Sequence, residues 1–379
     1  MKALVFSRRP ARYAAAMVAG SLRPGSGARY GPLSLRDIDP PDLPGPGWLR
    51  LRPRLSGICG SDLATNAGRS SRYFEPIVSF PFTPGHEIVG DLDDGRRVAV
   101  VPVLTCTPRG IDPPCAQCAA GRLNLCERIA FGHLEPGLQC GFCESTGGGW
   151  SQQMVVHESQ VIDVPDELSD RQAVMLEPTA CAVHAARQVD AGRVAVIGAG
   201  TLGLLTIAAI RRLSPATEII ATAKHPEQKR WAKELGADVI CAPVELARAV
   251  RSTTGSMVIG DQLTGGVPAV VDCVATEATL TQALQVVAPG GTVHAVGMPA
   301  QTTLDLTALW HRESHIRGCY AYERPDFDTA ADLVVSSALD RLVSATYPLV
   351  RYEDAIDHAA NAGRRGAVKV AFDLRSERR

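Results

Sequence analysis

From residue 176 to residue 298 the chain alternates short apolar runs with amphipathic stretches. The runs at 194–197, 218–223, 270–274 and 292–296 are rich in β-branched side chains and too short for buried helices, so they read as strands. Residues 226–235 and 277–287 lie between such runs and predict helices. Strand and helix in alternation predict an α/β domain with a doubly wound parallel sheet. The rhythm before residue 175 is different. Short strands such as 97–103 are separated by Gly, Pro and Asn, which predicts an irregular, mostly β region.

Candidate chemistry is concentrated in three places. The first is Gly57-Ile58-Cys59-Gly60-Ser61-Asp62, followed by Gly85-His86-Glu87. A thiolate and an imidazole are good zinc donors, and a catalytic zinc takes three protein ligands with one position left open. Taken singly, Cys59 could be a small core residue and His86 a turn residue. The second place holds Cys106, Cys115, Cys118 and Cys126 in a Pro- and Gly-rich segment. Four thiolates at short spacings suit a closed structural zinc site that cross-links loops with little apolar surface; a disulfide pair is the rival reading. Cys106 is the outlying member, separated from Cys115 by the spacer 107–114, although loop closure grows costlier only logarithmically with length. Cys140 and Cys143 form another Cys-x2-Cys and read as free structural thiols.

The third place is the run 194–197 leading into Gly198-Ala199-Gly200-Thr201-Leu202-Gly203 and then an apolar helix. A Gly-x-Gly-x-x-Gly loop between strand and helix, with a second strand following, predicts a dinucleotide site whose pyrophosphate rests on the helix N-terminus. About 20 residues past that loop an acidic side chain would hold a ribose hydroxyl. Here the strand ends in Ala223-Lys224-His225. Without that carboxylate, Lys224, His225 and Lys229 or Arg230 could pair with a 2′-phosphate, which favours NADP(H) over NAD(H). The alternative is that these residues form a solvated helix start.

Composition narrows the function classes. The chain has 379 residues, a net charge of −1 and 21% charged residues, which gives no electrostatic case for nucleic acid or a membrane surface. The apolar run 14–19 is far shorter than a membrane span. Eleven cysteines without a secretory leader point to a reducing compartment, so a soluble cytoplasmic protein is expected.

Taken in order, these motifs, the opening strand 1–6, Leu176-Glu177-Pro178 and the closing Gly366-Ala367-Val368-Lys369-Val370 resemble the zinc-dependent medium-chain dehydrogenase/reductase superfamily. The likeness is to the sorbitol and threonine dehydrogenase branch of the alcohol dehydrogenase family, and it runs nearly end to end. It implies a GroES-like, mostly β catalytic domain over 1–175, a Rossmann cofactor domain over 176–305, and an edge strand with a return to the first domain over 306–379, including a helix near 327–339. It implies that Glu177 completes a catalytic zinc site with Cys59 and His86, that Glu87 sits beside the metal, and that Ser61 shuttles the alcohol proton. Ala64 stands where relatives carry an outer relay histidine, so that step would need water or another group.

The activity implied is hydride transfer between NADP(H) and a small alcohol or polyol, or the matching carbonyl, in a homodimer or homotetramer. Two alternatives stand beside it: a double-bond reductase of the same fold, which would lack the zinc ligands, and a zinc- and dinucleotide-binding protein without catalysis. Residues 10–30 look like an insertion without a functional signal.

Overall fold

A computed structural model describes residues 1–375 apart from Asp261 and Pro299. The chain divides into two units: Met1–Glu177 with Glu323–Phe327 and Ala338–Arg379, and Pro178–Tyr322 with Asp328–Ser337.

In the first unit the ten-residue strand Trp48–Gly57 is the central element. It pairs antiparallel with Ile88–Leu92 on one side and with Met154–His157 and Lys369–Asp373 along its other edge. The sheet continues through Arg97–Val100 to Val161–Asp163, and Val343–Tyr347 closes its far side. Alternation along these strands supplies two cores. One contains Leu51, Ile88, Val98, Val100, Met154 and Val156. The other gathers Phe6, Phe82, Phe142, Trp150 and Phe372, and the opening strand Lys2–Phe6 contributes to it while pairing with Leu33–Asp37. The insertion between those two strands forms helices Pro10–Leu22 and Gly27–Tyr30, the first with proline at its N-terminus, where a missing N–H costs nothing.

The second unit holds a six-stranded, all-parallel sheet. In order of appearance its strands are Arg193–Ile197, Glu218–Thr222, Val239–Cys241, Val267–Asp272, Val287–Ala295 and His315–Gly318, and their spatial order is 3-2-1-4-5-6. That is the doubly wound order, which reverses beside the first strand and leaves a crevice at the strands' carboxyl ends. Strand positions such as Ala195, Ile197, Ile220, Val270 and Val293 are buried against Leu280, Leu284 and Val286. The edge strand expected within 306–379 is His315–Gly318, which pairs in parallel with Thr292–Ala295, and residues through Tyr322 group with the second unit. Most of the helix Asp326–Ser336 is also with that unit. Among the described residues no helix is long and apolar enough to cross a membrane.

One buried carboxylate ties distant parts of the first unit together. Asp170 accepts from Arg54 (3.3 Å), Arg97 (3.2 Å) and Arg375 (3.0 Å). Removing its charge leaves Arg97 without a carboxylate among the described residues, whereas Arg54 keeps Asp91 and Arg375 keeps Asp373. We expect Asp170→Asn to lower stability by about 2 kcal/mol, within the range of hydrogen bonds to charged groups. It should appear as a lower urea midpoint at unchanged slope, and an unchanged midpoint would show that the network contributes nothing.

Candidate active site and metal centres

The first unit brings Cys59, His86 and Glu177 into one electrostatic neighbourhood. Cys59 ends the extended segment after Trp48–Gly57 and caps the helix Gly60–Asn66. The Asp62 carboxylate accepts from the Cys59 N–H at 2.9 Å. This one bond ties the backbone of Cys59 to the first turn of the helix. Asp62 also turns to His86: its Oδ1 lies 3.6 Å from His86 Nδ1, and both are buried atoms without another hydrogen-bond partner. A carboxylate behind Nδ1 is the arrangement that orients a metal-binding imidazole. The other ring nitrogen, Nε2, is 3.5 Å from Ser61 Oγ.

Burial works against charge on His86, but Asp62, the Cys59 sulfur and Glu177 outweigh it and push the imidazole up to about 10. Burial also raises the Asp62 carboxyl. A proton favoured by that anionic field is one that a divalent ion displaces when it binds. The donor set is therefore chemically suited to zinc, with two ligand types that zinc prefers and a carboxylate. Its atoms are not drawn as close together as the four cysteines described below.

Glu87 is engaged elsewhere. It forms an ion pair with Lys369, in which both side chains are almost completely buried, and Lys369 Nζ also donates to the Ile58 carbonyl at 3.2 Å. Gly57 makes room for this pair. A Cβ there would stand 1.8 Å from Glu87 Oε2 and 2.9 Å from Lys369 Cε. Sequence reasoning assigned Lys369 no role; its one signal was a cation among Ala367, Val368, Val370 and Ala371.

The thiols of Cys106, Cys115, Cys118 and Cys126 all lie within 4.8 Å of one another. Cys106 thus joins the other three in spite of the long spacer, with its sulfur 3.7 Å from that of Cys126. Backbone N–H groups of Cys115, Cys118 and Arg128 point at the sulfurs of Cys106, Cys115 and Cys126. Burial raises the Cys118 and Cys126 thiols, whereas at Cys115 the N–H groups of Cys118 and Glu127 outweigh burial and lower it to about 6. Little but Ile111 and Ile129 packs with these cysteines, so the lobe has too little apolar surface to hold itself without a cross-link. Cys140 and Cys143 are free, buried and outside this group. Cys140 accepts from Gln160 Nε2 at 3.6 Å, and Cys143 donates to the Glu135 carbonyl at 3.4 Å.

In the second unit Gly200 caps the helix Thr201–Leu213, whose first turn carries no acidic residue. The N–H groups of Thr201, Leu202 and Gly203 are therefore at a positive helix end suited to phosphate. Gly198 has φ +92°, a left-handed value that favours glycine. A Cβ on Gly200 would meet nothing within 4 Å, so that position is open to an approaching pyrophosphate. Ala223 is buried just past the second strand. His225 caps the helix Pro226–Glu234 through Gln228. Arg230 is committed to Glu227 and Glu234, each at 3.1 Å, and stacks on Trp231, which removes it from the residues available to a ligand. Lys224 and Lys229 have no carboxylate partner among the described residues, and both are exposed.

A dinucleotide loop in one unit and a thiolate, imidazole and carboxylate group in the other define a metal-assisted oxidoreductase. The comparisons agree. Residues 201–336 match the family profile "Zinc-binding dehydrogenase", and residues 45–166 match "Alcohol dehydrogenase GroES-like domain". Sorbitol dehydrogenase of Bacillus subtilis is 30% identical over 324 residues, covering 80% of this chain and 84% of its own. L-idonate 5-dehydrogenase of Vitis vinifera is 28% identical, covering 89% and 91%. A candidate zinc-binding dehydrogenase of Sinorhizobium meliloti, solved with NADP bound, is 28% identical with a TM-score of 0.71, covering 90% and 96%. The chain belongs to the zinc-dependent alcohol dehydrogenase family of medium-chain dehydrogenases and reductases.

The glycine loop supplies a test. A Cβ on Gly203 would lie 1.7 Å from the Gly198 carbonyl oxygen, too close for strand and helix to keep their spacing. Gly203→Ala should weaken NADPH binding at least about tenfold, or 1.4 kcal/mol, in a fluorescence titration while zinc content is unchanged. Undiminished binding would show that the loop does not carry the cofactor.

Proposed function

We propose that this protein transfers hydride between NADP(H) and a small alcohol or polyol, or the matching ketone or aldehyde, at a zinc held by Cys59, His86 and Glu177. The observation that supports this most is the arrangement of half-buried Cys59 with buried His86 and Asp62, with Glu177 acting on the same imidazole. When bound, the zinc supplies Lewis acidity toward the substrate oxygen and the nicotinamide supplies or accepts hydride.

The chain's own groups do the rest. Asp62 holds His86 with Nε2 free for a metal and Nδ1 turned away from it. Ser61 Oγ, next to Nε2, takes the alcohol proton and passes its own to water, since Ala64 has no group to receive it. Lys369 restrains the Glu87 carboxylate, keeping a fourth anion close to the site without committing it as a ligand. Phe142, with its ring centroid 5.9 Å from that of His86, gives the imidazole an apolar neighbour. A second zinc at Cys106, Cys115, Cys118 and Cys126 is structural.

The NADP preference rests on Ala223, Lys224 and Lys229. Repulsion of a 2′-phosphate is absent at Ala223, and two unpaired ammonium groups stand nearby in the chain. His225 enters the helix cap only through its backbone N–H, which leaves its imidazole open to the same phosphate.

Two measurements test the proposal. Cys59→Ser should reduce zinc from two ions per chain to one and lower turnover at least about 10³-fold, since Lewis-acid assistance is worth several kcal/mol. Loss of zinc with unchanged turnover would remove the mechanism. Charge-assisted hydrogen bonds contribute roughly 1.5–3 kcal/mol each, so Lys224→Ala with Lys229→Ala should weaken NADPH about tenfold or more and leave NADH unchanged. Tighter NADH binding by the unsubstituted protein would overturn the cofactor assignment.

A further inference from the structure

The spacer between Cys106 and Cys115 contains a fully buried arginine, Arg109. Its Nε donates to the Leu104 carbonyl at 3.1 Å. Nη1 donates to the carbonyls of Phe131 (2.9 Å), Leu134 (3.3 Å) and Glu135 (3.3 Å). Nη2 donates to those of Glu135 (3.3 Å) and Gly137 (2.6 Å). The guanidinium therefore gathers both arms of the lobe around itself. Among the described residues no carboxylate pairs with it.

Carbonyl dipoles satisfy the N–H groups but leave a whole charge uncompensated. Burying an unpaired cation costs several kcal/mol, and a neutral amide could bond to carbonyls without that cost. Burial disfavours its charge, and the sulfurs of Cys143, Cys126, Cys140 and Cys106 favour it; in space, Cys143 Sγ donates to the same Glu135 carbonyl that accepts from Arg109 Nη1 and Nη2, and the Cys106 carbonyl accepts from Arg109 N. Two of these sulfurs belong to the four-thiol group. Four thiolates around a divalent zinc carry two negative charges in excess, and the lobe's other guanidinium groups, Arg122 and Arg128, are exposed, where solvent weakens their effect.

We propose that Arg109 is the internal counter-cation of the cysteine lobe, a positioning residue whose charge keeps the thiolates of Cys106, Cys115, Cys118 and Cys126 on their zinc. This rests on reading those cysteines as a zinc site. The enlarged spacer, which sets Cys106 apart in sequence, is what delivers the cation to the interior: Arg109 N donates to the Cys106 carbonyl at 3.1 Å, and the Arg109 carbonyl accepts from His133 at 3.3 Å.

The experiment follows zinc release from the full-length protein into an excess of chromogenic chelator, in a Cys59→Ser background so that only the lobe's ion is counted. Arg109→Gln removes the charge and keeps a shorter two-donor amide, whereas Arg109→Lys keeps the charge with three donors, so both lose most of the fork and differ chiefly in charge. We expect Arg109→Gln to release zinc at least about tenfold faster, within the range lost when a group supporting metal ligands is removed. Arg109→Lys should remain within about threefold of the background protein. Equal release by the two variants, or release by Arg109→Gln at the background rate, would overturn the proposal. If Arg109→Gln does not fold, Arg109→Lys decides: retention supports the role of charge, and release at least tenfold faster assigns the effect to the hydrogen bonds. A Cys59→Ser protein that holds no zinc at all would instead refute the zinc site itself, and the proposal with it.

Discussion

The ion pair between Lys369 and Glu87 is the interaction on which the Cys59 and His86 end of the first unit depends. Neither charge has access to water, so each is tolerable only because of the other. The pair fixes the last strand against Trp48–Gly57, whose end leads directly to Cys59. It also explains why position 57 is glycine, because any side chain there would occupy the space the carboxylate needs. Lose either partner and the remaining charge is left buried beside the ligands.

The same logic recurs around the other buried charges. Asp62 faces His86, Arg109 is held by five backbone carbonyls, and Asp170 gathers three guanidinium groups. Three of these four arrangements border a candidate metal-ligand group. The polar interior of this unit is thus concentrated at the places where it has chemistry to support, and its hydrocarbon cores are left to Val, Leu, Ile and aromatic side chains.

How much was legible in the sequence followed from the distance over which each feature is decided. The strands and helices of the second unit were readable because hydrophobic periodicity is local, and Gly198, Gly200 and Gly203 announce a turn within a few residues. Cys59, His86 and the four lobe cysteines could be picked out by donor type and spacing. Lys369 could not, because its hydrogen-bond partner Ile58 lies 311 residues away and no local pattern reports it. Arg109 was passed over as part of a spacer, since its carbonyl acceptors come from backbone positions where side-chain identity carries no signal. Arg230, by contrast, looked available for phosphate until its pairs with Glu227 and Glu234 were visible.

The place of Lys369 in the chain has a consequence for biosynthesis. Chains are made from the N-terminus, and segments fold as they emerge. Cys59, His86, Glu87 and Glu177 are all synthesised long before the strand Lys369–Asp373 that must slot in beside them. While translation continues, Glu87 has no ammonium to hold it back and is one more carboxylate near the thiol and imidazole. A zinc ion binding at that stage would meet Glu87 as a further candidate ligand, whereas in the finished protein that carboxylate is paired with Lys369.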